Sequence, residues 1–225
     1  MGSLSLACPE LVEGKGTKGD IFMLETLKSG GLLMIPIIVC GVLATFIIVE
    51  RCIYFASIRK RDEKLMANVN ASLAVGDFEA CGVACAQADT PMSQVIKKAI
   101  DCRRYEERDI RDLVEAEMDF VVPRFEHFLT PLGTIANIAT LLGLLGTVTG
   151  NIKAFGVLGA GGSMGDPALL AGAIAEALVT TVAGLIVSIP SVIFHNYFVS
   201  RVNRRIVEME AHVTSVVLKL TGRVR

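Results

Sequence analysis

The chain has 225 residues, 52% of them hydrophobic and only 20% charged, with a mean hydropathy of +0.55 and a net charge of −1. Globular domains that live in water carry more charge and fewer apolar residues, and a nucleic-acid binder would show a clustered basic excess that this balance lacks. The composition points to lipid instead, and the placing of the charges along the chain supports that.

In chain order, residues 1–28 read as a polar, Gly-rich tail. "MGSLSLACPE" lacks the basic start and the apolar run of a signal peptide. Residues 29–49, "SGGLLMIPIIVCGVLATFIIV", carry no charge at all. A spanning helix needs about 20 predominantly apolar residues, so a first transmembrane helix is expected over 29–55. Residues 56–127 are rich in charge and read as a helical region. A second uncharged stretch, "FLTPLGTIANIATLLGLLGTVTGNI", predicts a transmembrane helix over 128–153, followed by a short loop over 154–167. From Pro167 to Phe194 the only ionisable group is Glu176, and a third transmembrane helix is expected over 168–198. Residues 199–225 complete the chain as a C-terminal helix. The fold class is therefore all-α, a polytopic membrane protein whose three transmembrane helices extend into a helical region outside the bilayer.

Basic residues orient it. Arg51, Arg59, Lys60, Arg61 and Lys64 follow the first uncharged stretch, seven more precede the second, and Arg201, Arg204 and Arg205 follow the third span. Residues 153–167, connecting spans two and three, hold only Lys153 as a basic residue. The positive-inside rule then places residues 56–127 and 199–225 in the cytoplasm and the N-terminus on the opposite side.

Within residues 56–127, "KLMANVNASLAV" should end at Gly76, with Asp77 as N-cap of "FEACGVACAQA". "DTPMSQVIKKAI" should open another helix with Pro91 in its first turn. "ERDIRDLVEAEMDFVVPRFEHFL" should lead into the second span. Cys81 and Cys85 share a helix face without further ligands beside them, so they read as small buried residues. Glu115, Glu117 and Asp119 point to different helix faces and read as a solvated flank. Phosphate-binding, HExxH and nucleophile motifs are lacking. Neither an enzyme nor a metal or cofactor is implied.

The polar groups inside the spans carry the functional reading. In the second span Asn137, Thr140, Thr147 and Asn151 form one helical stripe, beside a stripe of Gly143, Gly146 and Gly150 that lets another helix approach closely. In the third, Gly172, Glu176, Thr180 and Gly184 share an i, i+4 stripe, while Thr181 is rotated about 140° from Glu176. A charged side chain at mid-bilayer costs about 2.5–3.5 kcal/mol on insertion scales. Glu176 is therefore either a protonated group bonded to a hydroxyl, holding helices in register, or part of a polar interior that passes protons or cations. Three helices cannot enclose such an interior alone, which implies other subunits and favours a homo-oligomer around a central axis.

"LLGLLGTVTGNIKAFG" followed by "AGAIAEALVTTVAGLIVSIPSVIFHNYF" resembles the signature of the MotA/TolQ/ExbB proton-channel family, over roughly residues 25–220 and most strongly over 131–198. The likeness is greatest to the ExbB-like members. It implies a homopentamer in a bacterial inner membrane, the N-terminus periplasmic, around an ExbD-like single-span protein with a membrane Asp. A TonB-like protein would use the resulting motion for transport across the outer membrane. It also implies pathway roles for Thr147, Glu176 and Thr181. Thr180, on the stripe of Glu176, and Asn151, which departs from the family pattern and extends the polar stripe, are weaker candidates read from the residues themselves, and the stripes make Gly143, Gly146, Gly150, Gly172 and Gly184 helix-packing positions. A TolQ-like or other energiser of envelope or gliding machinery, and a passive scaffold for a partner helix, stay open beside this reading.

Overall fold

A computed structural model of the chain describes residues 31–160 and 167–221. The expectations for residues 1–30, 161–166 and 222–225 lie outside these. Among the described residues all regular structure is helical: α1 (Met34–Val75), α2 (Phe78–Ala88), α3 (Pro91–Asp101), α4 (Glu107–Glu126), α5 (Leu129–Ala160) and α6 (Pro167–Leu220). Three stretches, within Met34–Val75, Glu107–Gly159 and Pro167–Leu220, are long and apolar enough to cross a bilayer. At 1.5 Å per residue, the 42 residues of α1 and 54 of α6 amount to about 63 and 81 Å. Both exceed a hydrocarbon core of about 30 Å, so the same helices continue beyond it.

One helix end differs from the sequence reading. α5 runs past residue 153 to Ala160, because "AFGVLGA" has no proline and its two glycines, at about 1 kcal/mol each, do not stop a helix in an apolar run. α6 is unbroken through residues 198 and 199, as expected of a long helix that extends past its span, since the charged turns after Phe198 keep an apolar face. α4 ends before α5 begins, at the division expected between residues 127 and 128. The chain turns at His127 and Phe128, where Phe128 takes the left-handed φ of +67°.

The described residues divide into two compact units, one holding residues 31–39 with those of 139–186, the other residues 40–138 with 187–221. In the second unit a single apolar core gathers Phe55, Leu65 and Val69 of α1, Val95 and Ile96 of α3, Ile110, Val121 and Phe125 of α4, and Phe198, Val202 and Met209 of α6. Gly76 turns the chain at φ +78°, and Asp77 caps α2 by accepting from the Ala80 amide at 3.0 Å. Thr90 caps α3 in a reciprocal pair with Ser93, Pro91 following at the first helical position. Cys81 and Cys85 are buried, and burial pushes the Cys85 thiol up to about 11. The turn at Phe128 has a counterpart in Arg51, which is 3% exposed. Its guanidinium lies 5.2 Å from the Phe128 ring and 4.7 Å from that of Tyr54, and 2.8 Å from the Glu50 carboxylate. An otherwise costly buried cation is thus sandwiched by aromatic faces.

In the first unit the residues from Ala139 on α5 pack against α6 through their smallest side chains.

Candidate functional site

Backbone contact sets the register of this helix pair. A methyl group added at Gly184 would lie 2.6 Å from the Ala139 carbonyl oxygen and 3.0 Å from the Gly143 Cα. One at Gly150 would lie 3.0 Å from the Ala173 carbonyl oxygen, and one at Gly146 would collide with the Thr180 side chain. Only hydrogen fits at these positions, so the two backbones approach as closely as small residues permit. The partners run in opposite order along the two helices: 139 with 184, 146 with 180, 150 with 173 and 177. Gly172 differs from the other four glycines of the sequence reading: it is exposed, and a methyl group there would meet nothing within 4 Å.

The register carries α5 one turn past Gly150 to Lys153, whose Nζ lies 2.7 Å from Glu176 Oε1. The side chains are 57% and 27% exposed, so most of the Glu176 side chain is covered. Gly31, at φ +63°, is the other close neighbour; a methyl group there would collide with Glu176 Oε1. Within residues 128–194 the ionisable groups are Lys153, Asp166 and Glu176. Two of the three therefore neutralise each other across the helix pair, which offsets much of the cost of carrying either charge in an apolar segment.

The threonines fall into two settings. Thr180 is 2% exposed, sealed against Gly146, and donates to the Ala177 carbonyl at 2.8 Å. Thr181 is half-buried and reaches across the pair, donating to the Gly143 carbonyl at 2.9 Å. Thr147 is half-buried and donates back to the Leu144 carbonyl at 2.6 Å. A carbonyl oxygen only accepts, so these hydroxyls give up their proton to backbone and keep lone pairs as acceptors. Asn151 is exposed, as are Asn137 and Thr140 on the same stripe.

Glu176, Lys153 and Gly31 are thus brought together, and Thr181 is tied to Gly143. Thr147 makes its bond within its own helix. Sequence reasoning used Lys153 only to orient the chain and missed it as the partner of Glu176. The signal was partial: with Gly150 opposite Ala173 and Ala177 in an antiparallel pair, a residue one turn beyond Gly150 falls opposite about residues 170–174, and the four-carbon stem of a lysine there reaches Glu176.

Comparison with known proteins agrees on one family. A profile of the MotA/TolQ/ExbB proton channel family matches residues 87–211, a stretch that includes Thr147, Lys153, Glu176 and Thr181. The chain is 30% identical to a putative biopolymer transport protein, ExbB-like 3, of Synechocystis sp., over 76% of this chain and 81% of that one. It is 30% identical to the biopolymer transport protein ExbB of Neisseria meningitidis, over 76% and 84%. With a putative ExbB homolog of Methanothermobacter thermautotrophicus it shares 29% identity over 84% and 67%.

Proposed function

Because the chain belongs to the MotA/TolQ/ExbB proton channel family, we propose that it is the proton-pathway subunit of an inner-membrane motor. In this reading, copies of the chain assemble as a homopentamer around an ExbD-like single-span partner with a membrane Asp. Proton entry drives motion of that assembly, which a TonB-like protein uses for transport across the outer membrane. The N-terminus is periplasmic and the C-terminus cytoplasmic, as the basic residues flanking the spans suggest.

The observation that carries the reading is the Glu176 carboxylate in an otherwise apolar segment, paired with Lys153 at 2.7 Å and still 27% exposed. A proton arriving on water is accepted at the Glu176 carboxylate, which then passes it to the partner's carboxylate. Lys153 holds the site near neutrality while the proton is absent. The acceptor lone pairs of Thr147 and Thr181 orient water toward it, and Asn151 widens the polar approach. Thr180 contributes by fixing α5 against α6. Gly143, Gly146, Gly150 and Gly184 keep the wall thin, and Gly172 leaves open space on the stripe that carries Glu176.

Liposomes holding the chain with its single-span partner test this. A pH gradient followed with an entrapped dye should dissipate faster with the wild type than with Glu176→Ala or Glu176→Gln, assembly being checked by size-exclusion chromatography. A scaffold would tolerate the uncharged isostere Glu176→Gln. Equal proton flux in all three proteins therefore overturns the reading.

A further inference from the structure

The Arg51 guanidinium, 3% exposed, has few hydrogen bonds for a buried cation. Its Nε and Nη1 are buried with no hydrogen-bond partner. The Glu50 carboxylate lies 2.8 Å from Nε and balances the charge, but it is not in the direction of a hydrogen bond. Among the described residues the guanidinium makes one hydrogen bond, from Nη2 to His127 Nδ1 at 3.4 Å. That bond joins α1 to the turn between α4 and α5, 76 positions later in the chain.

An arginine only donates. His127 Nδ1 is therefore the acceptor, and the ring is neutral with its proton on Nε2. The residue is exposed, and its ring stands edge-on to that of Phe128 with centroids 4.1 Å apart. Phe128 in turn faces the Arg51 guanidinium at 5.2 Å and takes the φ of +67° that makes the turn. A buried cation and an exposed titratable ring thus close the turn together. Imidazoles change charge between about pH 5 and 8. An imidazolium carries N–H on both nitrogens, so a proton on Nδ1 would set donor against donor and one positive charge against another.

The other charged and titratable groups around the turn supply no substitute acceptor across it. Glu50 and Tyr54 belong to α1 itself and share a cavity with Arg124 of α4, which donates to Gln94 at 3.0 Å. Glu126 of α4 is exposed and lines a separate cavity of about 190 Å³ with His195 of α6.

We infer that His127 is a pH-sensitive latch: neutral, it ties the α4–α5 turn to α1 through Arg51, and protonated, it lets the turn go. The tie is complete at the higher pH and is lost as pH falls. Glu50 still balances Arg51 after release, so the loosening is confined to the turn and the start of α5, where the Leu132 amide donates to the Phe128 carbonyl at 3.1 Å. In a subunit that passes protons, as proposed above, protons accumulating beside His127 would loosen the start of α5; the latch itself does not rest on that reading.

Hydrogen exchange of the purified full-length chain in detergent tests the latch without any proton flux. It is read by mass spectrometry on peptides covering residues 124–133, corrected for the intrinsic pH dependence of amide exchange. From about pH 8 to about pH 5.5 the corrected exchange should rise about fivefold, the factor given by a typical net hydrogen bond, while peptides from α2 stay unchanged. His127→Gln keeps an acceptor oxygen that does not titrate and should stay at the protected level at both pH values. His127→Lys has donors only and should exchange at the released level at both. His195→Gln and His212→Gln should keep the wild-type response. The glutamine variant, at an exposed position, decides alone should the lysine variant unfold. A wild-type response that is absent, that survives His127→Gln, or that disappears in His195→Gln or His212→Gln overturns the inference.

Discussion

The contact between α5 and α6 is tight enough to make a single methyl group measurable. In Gly184→Ala the new carbon would lie 2.6 Å from the Ala139 carbonyl oxygen, whereas an ordinary carbon–oxygen contact is about 3.3 Å or more. Both neighbours are backbone, so no rotamer change relieves the clash and the helices must part by about 0.7 Å. The Thr181 hydroxyl is bonded to the Gly143 carbonyl at 2.9 Å. The same opening stretches that bond to about 3.6 Å, beyond hydrogen-bonding range. Overpacking of this kind costs about 1–3 kcal/mol, and a lost interhelical hydrogen bond in a membrane protein adds about 0.6 kcal/mol. The expected loss is thus about 2–4 kcal/mol.

Gly143→Ala is the graded control. Its methyl group would meet the Thr181 Cα at 3.3 Å and the Gly184 Cα at 3.4 Å, which small shifts accommodate at about 1 kcal/mol or less. Gly172→Ala, with open space around it, should cost nothing and gain up to about 1 kcal/mol in helix propensity. Unfolding midpoints in mixed micelles titrated with sodium dodecyl sulfate measure the series. Stability should fall in the order Gly172→Ala, wild type, Gly143→Ala, Gly184→Ala. A Gly184→Ala protein as stable as the wild type would refute the close approach of the two backbones.

The charges and the thiols give further tests. Lys153→Met alone should destabilise more than Lys153→Met combined with Glu176→Gln, because the single change strands a carboxylate; the same micelle titration should give a coupling of about 0.5–3 kcal/mol, and strictly additive effects would deny the pair. The raised Cys85 thiol makes the folded state favour the neutral form, so its contribution is complete below the ordinary thiol value of 9.0 and is lost as pH rises through about 11. Between those values stability should fall by about 2–3 kcal/mol, and iodoacetamide at pH 9 should label Cys85 only when the chain unfolds, as peptide mapping would reveal.

The helical class and the three apolar stretches were legible because charge is costly in lipid and therefore absent from long runs. Asp77 and the Thr90–Pro91 pair were legible for a local reason: a cap satisfies amides within its own turn, so neighbouring residues suffice to recognise it. The turn at Phe128 was not. Nothing in "FEHFLT" resembles a turn, and a phenylalanine in the left-handed region is held there by what its ring meets, namely Arg51, 77 positions earlier in the chain. The end of α5 was hidden for a related reason, since an apolar run shows where a helix can cross lipid and not where its hydrogen bonding stops. Gly143, Gly146 and Gly150 announced a close helix neighbour, yet the spacing alone assigned Gly172 the same role, because a stripe does not show how far along it the neighbour reaches.

The pairing of Lys153 with Glu176 belongs to the long-range kind, but it depends on residues that are plain in the sequence. Either charge alone in an apolar helix costs about 2.5–3.5 kcal/mol at mid-bilayer, and the two offset each other only at contact distance. A lysine ammonium sits on a flexible four-carbon stem, so it can reach across a helix pair whose axes are close and loses its partner as they separate. The glycines that bring α5 against α6 are therefore also what neutralises the carboxylate, and packing and charge are a single device. The arrangement also explains why the site stays usable. Had Glu176 been satisfied by a buried hydroxyl, it would be sealed within the chain. Held instead by a lysine that is 57% exposed, it has its charge balanced by a partner whose flexible stem lets it move aside.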